Sequence, residues 1–287
     1  MRRPFLRPGF EVLRRDDHHL QVGLEHPTRV VLPDHPAVRR LLHDLTDGTL
    51  SVVPAEEPAA AQALTRLRTA GLLLEAPARH DERHQASAYG PDWPRRSQAR
   101  AAAGVAVSGP DDLSRALAAL LHADGIGTCS TDATVPDPLH TAAGVGVTVV
   151  MVAGVVPRES LDQVATPTLP VSFAEGRSEI GPFLVPGHSP CLRCADAARR
   201  DLDPRWPLLV EQAAHREAMS PPLPLVLPHL ALALIARDVL AWIDGETPAT
   251  WGATVTIDRR GLPSRTPWAQ HPACGCSWAT QLLADGA

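Results

Sequence analysis

The sequence predicts an α/β protein in two parts, a small α+β unit at the N-terminus and a larger α/β domain after it. Three observations carry this. A chain of 287 residues with 44% hydrophobic content is long enough to fill two modest cores. Residues 77–101, "PARHDERHQASAYGPDWPRRSQARA", are polar, carry Pro, Gly and charges of both signs, and show no sustained apolar period, which is the composition of a linker. Short β-like runs followed by helical patterns precede that stretch, and buried-strand runs mixed with helical patterns follow it. The expected division is therefore a first domain over 1–80, a linker over 81–101 and a second domain over 102–287.

In the first domain "FEVLRR", "LQVGL" and "TRVVLP" read as strands separated by the turns "DDHH" and "EHP". In "HPAVRRLLHDLTDG" Val38, Leu41, Leu42 and Leu45 recur at i, i+3, i+4 and i+7, Asp34 is placed to cap the helix start, and Gly48 stands beyond its end. Ala60, Leu64 and Leu67 share a face of a second helix, with Gly71 as its C-terminal cap before a short apolar strand. Strands, then helices, then a strand make a unit of winged-helix type.

Beyond the linker, "AAGVAVSG" reads as a buried strand, "PDDLSRALAALLHADG" as a helix with Asp111 or Asp112 near its start, and "AGVGVTVVMVAGVV" as a second buried strand. A hairpin turning near Gly176 is expected in "TLPVSFAEGRSEIGPFLVPG". The segment "PLVLPHLALALIARDVLAWIDG" reads as a long core helix, apolar nearly all round, and "ATWGATVTIDRRGLPSRTPW" as two further strands.

A net charge of –5 gives no support for a nucleic-acid or anionic-membrane partner. The longest apolar stretch is interrupted by Pro228, His229, Arg237 and Asp238, and the N-terminus has no apolar run of signal-peptide length, so a soluble, cytoplasmic protein is expected. All 27 basic residues are arginine, which removes every mechanism that needs a lysine amine from this chain.

Chemistry concentrates in the cysteines. Cys191 and Cys194 form C-x-x-C within "PGHSPCLRC", and Cys274 and Cys276 form C-x-C within "HPACGC". Two short cysteine knuckles from separate loops are the usual way to give zinc four soft ligands, and Pro186, Gly187, Pro190, Pro272 and Gly275 supply the turns. In a reducing compartment a disulfide is the weaker reading, and a thioredoxin-like redox motif needs no second pair. The expected cofactor is a structural Zn2+ on all four thiolates, with His271 or His188 as alternatives for one of them. Four protein ligands leave no position for water, so this metal holds loops together. Cys129, the fifth cysteine, reads as a small buried apolar side chain.

The run "GPFLVPGHSPCLRCADAARRDLDPRWP", the long helix after it and "HPACGC" resemble the adenylating superfamily of ThiF and ubiquitin-activating enzymes. More closely they are similar to the ThiF-like partner proteins of azole-forming peptide cyclodehydratases. The stretch from "FLRPGFEVLRRDD" to "LRTAGLLLEA" resembles the PqqD-like peptide-recognition domain that precedes such proteins. The resemblance implies a Rossmann-type second domain, a precursor leader peptide as ligand, a YcaO-type enzyme as partner, and a possible homodimer. The superfamily cradles ATP on a Gly-rich turn after its first strand. Here that turn is "VSGPDDLS", where only Gly109 remains and Asp111 and Asp112 would repel a triphosphate. Residues 125–150 hold no arginine for the phosphates, and Asp132 and Asp137 read as loop residues. ATP is therefore not expected as a cofactor, and no catalytic residue is assigned.

As a DNA binder the first domain would need a basic stripe, but residues 1–80 hold eleven arginines against ten acidic residues. As a peptide binder of the resembled family it would add an extended leader to a sheet edge beside a helix. Carried over by position, the edge is Arg29, Val30, Val31 and Leu32, and the helix offers Leu64, Leu67 and Arg68. The run "RRDLDPRWP" reads as a salt-bridged helix end with Trp206 in the core, or as a partner surface. A non-catalytic adaptor is the leading expectation; an ATP-dependent adenylyltransferase and a zinc-containing transcription regulator are the alternatives.

Overall fold

The computed structural model describes residues 4–50, 57–75, 83–131, 145–161, 164, 166–215 and 226–276. The chain divides into two units, Met1–Gln98 and Ala99–Ala287.

In the first unit β2 (Val12–Arg14), β3 (His19–Val22) and β4 (Val30–Pro33) form an antiparallel sheet in that order, after β1 (Phe5–Leu6). Period-2 alternation puts Leu20, Val22, Val30 and Leu32 on one face, where they are buried with Val38, Leu41, Leu42 and Leu45 of α1 (Pro36–Asp47) and Leu67 of α2 (Pro58–Thr69). A two-stranded ladder of β1 with β5 (Leu73–Leu74) completes the unit. Gly48 ends α1 with φ 70°, a backbone conformation that favours glycine. The cap at the other end differs from expectation. His35, not Asp34, accepts the Ala37 N–H (3.2 Å), because the Asp34 carboxylate is held by both arms of the Arg39 guanidinium.

The expected linker is helical. Residues 83–102 carry α3 (Arg83–Tyr89) and α4 (Trp93–Ala102), and the division between the units falls inside α4. The reason lies in a helical face that the charges conceal. Ala86, Tyr89 and Trp93 fall at i, i+3 and i+7 and pack with Phe5 and Leu74, while the next positions on that spacing are arginines, Arg96 and Arg100, both buried. The Arg96 guanidinium lies over the Tyr89 ring at 4.5 Å. Arg7 fixes α3 by donating to the carbonyls of Ser87 and Ala88, each at 2.8 Å.

The second unit is built on β6 (Gly104–Ser108), α5 (Asp111–Ala123), β7 (Thr128–Ser130), β8 (Val145–Val152), β9 (Thr168–Ala174), β10 (Arg177–Ile180), α6 (Leu192–Leu202), α7 (Trp206–His215), α8 (Val226–Ile243), β11 (Ala253–Ile257) and β12 (Pro263–Pro267). One seven-stranded sheet runs β12-β11-β10-β9-β8-β6-β7. The β7, β6, β8 and β9 strands pair in parallel, and from β9 to β12 every pairing is antiparallel. The result is a mixed α/β architecture. Sequence patterning missed β7, whose three residues are too few to show a period. The β9–β10 hairpin turns at Glu175 and Gly176, both with positive φ (52° and 73°), as a two-residue turn of type I′ requires.

By length and composition α8 is apolar enough to cross a bilayer, yet it serves as a core helix. Leu227, Ala231, Leu232, Ile235 and Val239 are buried in one cluster with Leu117 of α5 and Ile180 of β10. Just beyond its C-terminus, Asp244 accepts two hydrogen bonds from the fully buried Arg100 guanidinium, at 2.9 and 2.6 Å.

Candidate functional site

The cysteine knuckles converge. Cys191 stands at the N-cap of α6 and Cys194 in its first turn, because the Cys194 N–H bonds back to the Cys191 carbonyl at 3.0 Å. Cys274 and Cys276 come from the turn after β12, where Gly275 takes φ 80°. The Sγ–Sγ separations are 3.8 Å for Cys191–Cys194 and 3.4 Å for both Cys191–Cys274 and Cys194–Cys276. All four sulfurs lie within 4.8 Å of one another. Disulfide sulfurs would sit at about 2.0 Å, and all four thiols are free. A tetrahedral zinc with Zn–S bonds of about 2.3 Å needs sulfurs roughly 3.8 Å apart, so the four residues fit that ion.

Electrostatics agree with the geometry. Hydrogen bonding from the Cys191 thiol lowers the Cys194 pKa to about 4, helped by the His271 amide (3.3 Å) and by Cys276. The same coupling, together with burial, raises Cys191, and burial raises Cys276 to about 12. Protons shared among crowded thiols in this way are what a cation would displace.

His271 does not take the place of a thiolate. Its Nδ1 accepts the Ala273 N–H (3.2 Å), which leaves Nε2 protonated to donate to Asp201 (2.9 Å). His188 is absent from the cluster of groups close enough to share an ion. Cys129, on β7, is half-buried against the core and its thiol is raised by burial, so it behaves as an apolar side chain.

The turn after β6 explains its one glycine by packing. A Cβ on Gly109 would lie 2.7 Å from both the Cβ and the carbonyl oxygen of Met151, at the end of β8. Pro110 occupies the N-cap position and Asp111 and Asp112 fill the first turn of α5, placing two carboxylates at the helix dipole's positive end. Gly109→Ala is expected to destabilise the protein by about 1–3 kcal/mol through this clash, read as a lower urea midpoint at unchanged slope. An unchanged midpoint would refute the packing explanation. Asp132 and Asp137 lie outside the described residues.

The residues carried over for peptide binding divide by orientation. Val30, Leu32 and Leu67 are core side chains, whereas Arg29 and Arg68 are exposed and Val31 and Leu64 are half-buried. The backbone is more informative. The Asp34 N–H bonds to the His18 carbonyl at 2.7 Å, so residues 30 and 32 share that phase and point their N–H and C=O groups at β3. Arg29 and Val31 therefore point theirs outward. Among the described residues β4 pairs on one side only, and α2 packs beside it.

Sequence reasoning missed a buried network next to the first knuckle. Arg158 donates to both Asp196 carboxylate oxygens (2.7 and 3.0 Å), and Asp196 also accepts the Trp206 indole N–H (2.9 Å). Its only sequence signal was an aspartate within "CADAARR", which reads equally well as a solvated helix position.

No protein-family model and no curated protein matches the sequence. Solved structures do resemble it in fold. A heterocyclase in complex with substrate and cofactor superposes with a TM-score of 0.70 at 18% identity, covering 96% of this chain and 39% of that one. The heterocyclase TruD gives 0.69 at 17% identity, covering 99% and 44%. Escherichia coli MccB with MccA-N7isoASN gives 0.63 at 13% identity over 96% and 99%, and MccB with ATP gives 0.63 at 14% over 95% and 99%. The chain thus spans about four-tenths of the heterocyclases' length and nearly all of MccB.

Proposed function

We propose that this chain is the leader-peptide-binding and scaffold subunit of a machinery that modifies ribosomally made peptides. It presents the precursor to a separate YcaO-type, ATP-dependent cyclodehydratase in the cytoplasm. The observation that carries this reading is the edge of β4, which pairs on one side only among the described residues, in a chain whose fold resembles about four-tenths of a heterocyclase solved with substrate and cofactor. In this reading the first unit is a PqqD-like winged-helix domain, and the leader is added as a strand along Arg29 and the Val30–Leu32 portion of β4, with Leu64 and Arg68 of α2 beside it and Val30, Leu32 and Leu67 acting from the core. The second unit is a Rossmann-type scaffold without ATP chemistry. Cys191, Cys194, Cys274 and Cys276 hold a structural Zn2+ that ties the start of α6 to the turn after β12. Self-association as a homodimer belongs to the same proposal.

The test is a fluorescence-anisotropy titration of the full-length protein with the labelled leader of the precursor encoded beside it. Saturable binding is expected. Val31→Pro removes an outward-facing donor at an edge position where proline is tolerated, and is expected to weaken binding at least about tenfold while the melting curve is kept. A folded protein that ignores the leader, or a Val31→Pro variant that binds as before, ends the proposal.

A second reading is favoured by one observation, the near-complete coverage of MccB, a protein solved with ATP. It makes the chain an adenylyltransferase. Peptide-dependent release of pyrophosphate or AMP by the purified protein would support it. Two carboxylates in the first turn of α5 argue against it.

A further inference from the structure

The second unit contains a cavity of ≈ 360 Å³ lined by residues of the sheet, α6 and α7. That volume lies in the range of roughly 300–1,000 Å³ typical of small-ligand sites. Most polar groups on its wall are already engaged. Arg158 is held by Asp196, Arg177 pairs with Glu175 (3.0 Å) and Glu179 (3.2 Å), and Ser172 donates to the Gly154 carbonyl (2.5 Å).

Arg199 is the exception. Its Cζ lies 4.9 Å from the Trp206 ring and 4.7 Å from the Trp268 ring, and its nearest carboxylate, Asp196, is 3.9 Å away, beyond hydrogen-bond distance. The guanidinium therefore makes no hydrogen bond to any described residue, although its side chain is only 25% exposed. Burial lowers its pKa, and the charges of Glu179 and of Asp196, the latter ion-paired with it at 3.9 Å, only partly offset this. Two aromatic rings restrain the group without using its donors as hydrogen-bond partners. A preorganised fork of N–H donors on the wall of a cavity is the arrangement that recognises a planar anion.

Charge and lining narrow the ligand further. Glu175 and Glu179 also line the cavity and disfavour a phosphate dianion, while Val155, Val156, Pro170, Leu209, Val210 and Ala213 supply apolar wall. We infer that this cavity binds a carboxylate carried on an apolar body, with Arg199 as the anchoring fork between Trp206 and Trp268. The carboxylate belongs either to the C-terminus of an apolar peptide or to a free organic acid. This inference stands apart from leader binding, since every residue it uses lies in the second unit.

Isothermal titration of the full-length protein with acetyl-Ala-Val-Leu, as the free acid and as the amide, tests it without any mutation. The acid is expected to bind at least about tenfold more tightly than the amide, and Arg199→Gln to lose about the same factor, with Arg199→Lys between them. Hexanoate separates the sources: binding as tight as the tripeptide acid assigns the cavity to free acids, and weaker binding assigns it to a peptide terminus. Equal affinity for acid and amide, no binding of the acid up to about 10 mM (a contact weaker than ~3 kcal/mol), or a preference for AMP would overturn the inference.

Discussion

Cys191→Ser is expected to abolish a stoichiometric zinc and to lower the melting temperature of the second unit. Metal binding to four thiolates in zinc-finger peptides is worth about 10–16 kcal/mol. Losing even a quarter of that, roughly 3 kcal/mol, moves the midpoint of a domain this size by about 6–12 °C. Serine removes the soft ligand and places at the N-cap a hydroxyl suited to accept a first-turn N–H of α6, so the loss reports the metal site and not the helix start. Elemental analysis of the wild-type protein should give one zinc per chain. A strong chelator should reproduce the variant's melting curve, and acid should release the metal as the thiolates take up protons. Protein that purifies without zinc, or a variant that melts like wild type, would remove the metal from the account and leave four packed thiols.

The second large effect is expected at the pair between Arg100 and Asp244. Arg100 is fully buried, and Asp244 is 2% exposed. After Asp244→Ala, the nearest acceptors of the guanidinium among the described residues are the Asp124 carbonyl at 3.3 Å and an Asp124 carboxylate oxygen at 3.9 Å. Removing one partner of a buried pair costs about 3–5 kcal/mol, because the remaining charge stays desolvated. Urea unfolding should show the fall in midpoint at constant slope. The double replacement Arg100→Met with Asp244→Leu should recover most of it, since it removes both charges together. A single variant within about 0.5 kcal/mol of wild type would mean that water reaches the site.

Both residues show how far patterning reaches in this chain. The helices with an apolar stripe were legible: Val38, Leu41, Leu42 and Leu45 lie buried on α1, as their spacing requires, and the apolar run of α8 is the core helix it resembled. The stretch across 83–102 was not legible as helix. Its buried face passes from Ala86, Tyr89 and Trp93 into Arg96 and Arg100, and a pattern that counts apolar residues stops where the face turns to arginine. The Asp34 cap failed for a related reason, since a nearby guanidinium took the carboxylate that the helix N–H groups would have used.

What the sequence determined by itself was chemical identity and local period. Four cysteines in two short knuckles, the absence of lysine, a turn with one glycine beside two aspartates, and most strand and helix positions all follow from residue type and spacing. Tertiary structure decided which of these groups meet. It brought the two knuckles to within 4.8 Å, left the outward-facing backbone of β4 unpaired among the described residues, and gave Gly109 a packing role against Met151. It also set Arg199 between two tryptophans from different elements while Asp196 went to Arg158. Pairings of this kind join residues tens of positions apart, and nothing in a local period encodes them. They arise when burial removes water from a charged or polar group and leaves it to find whatever partner the fold has brought near.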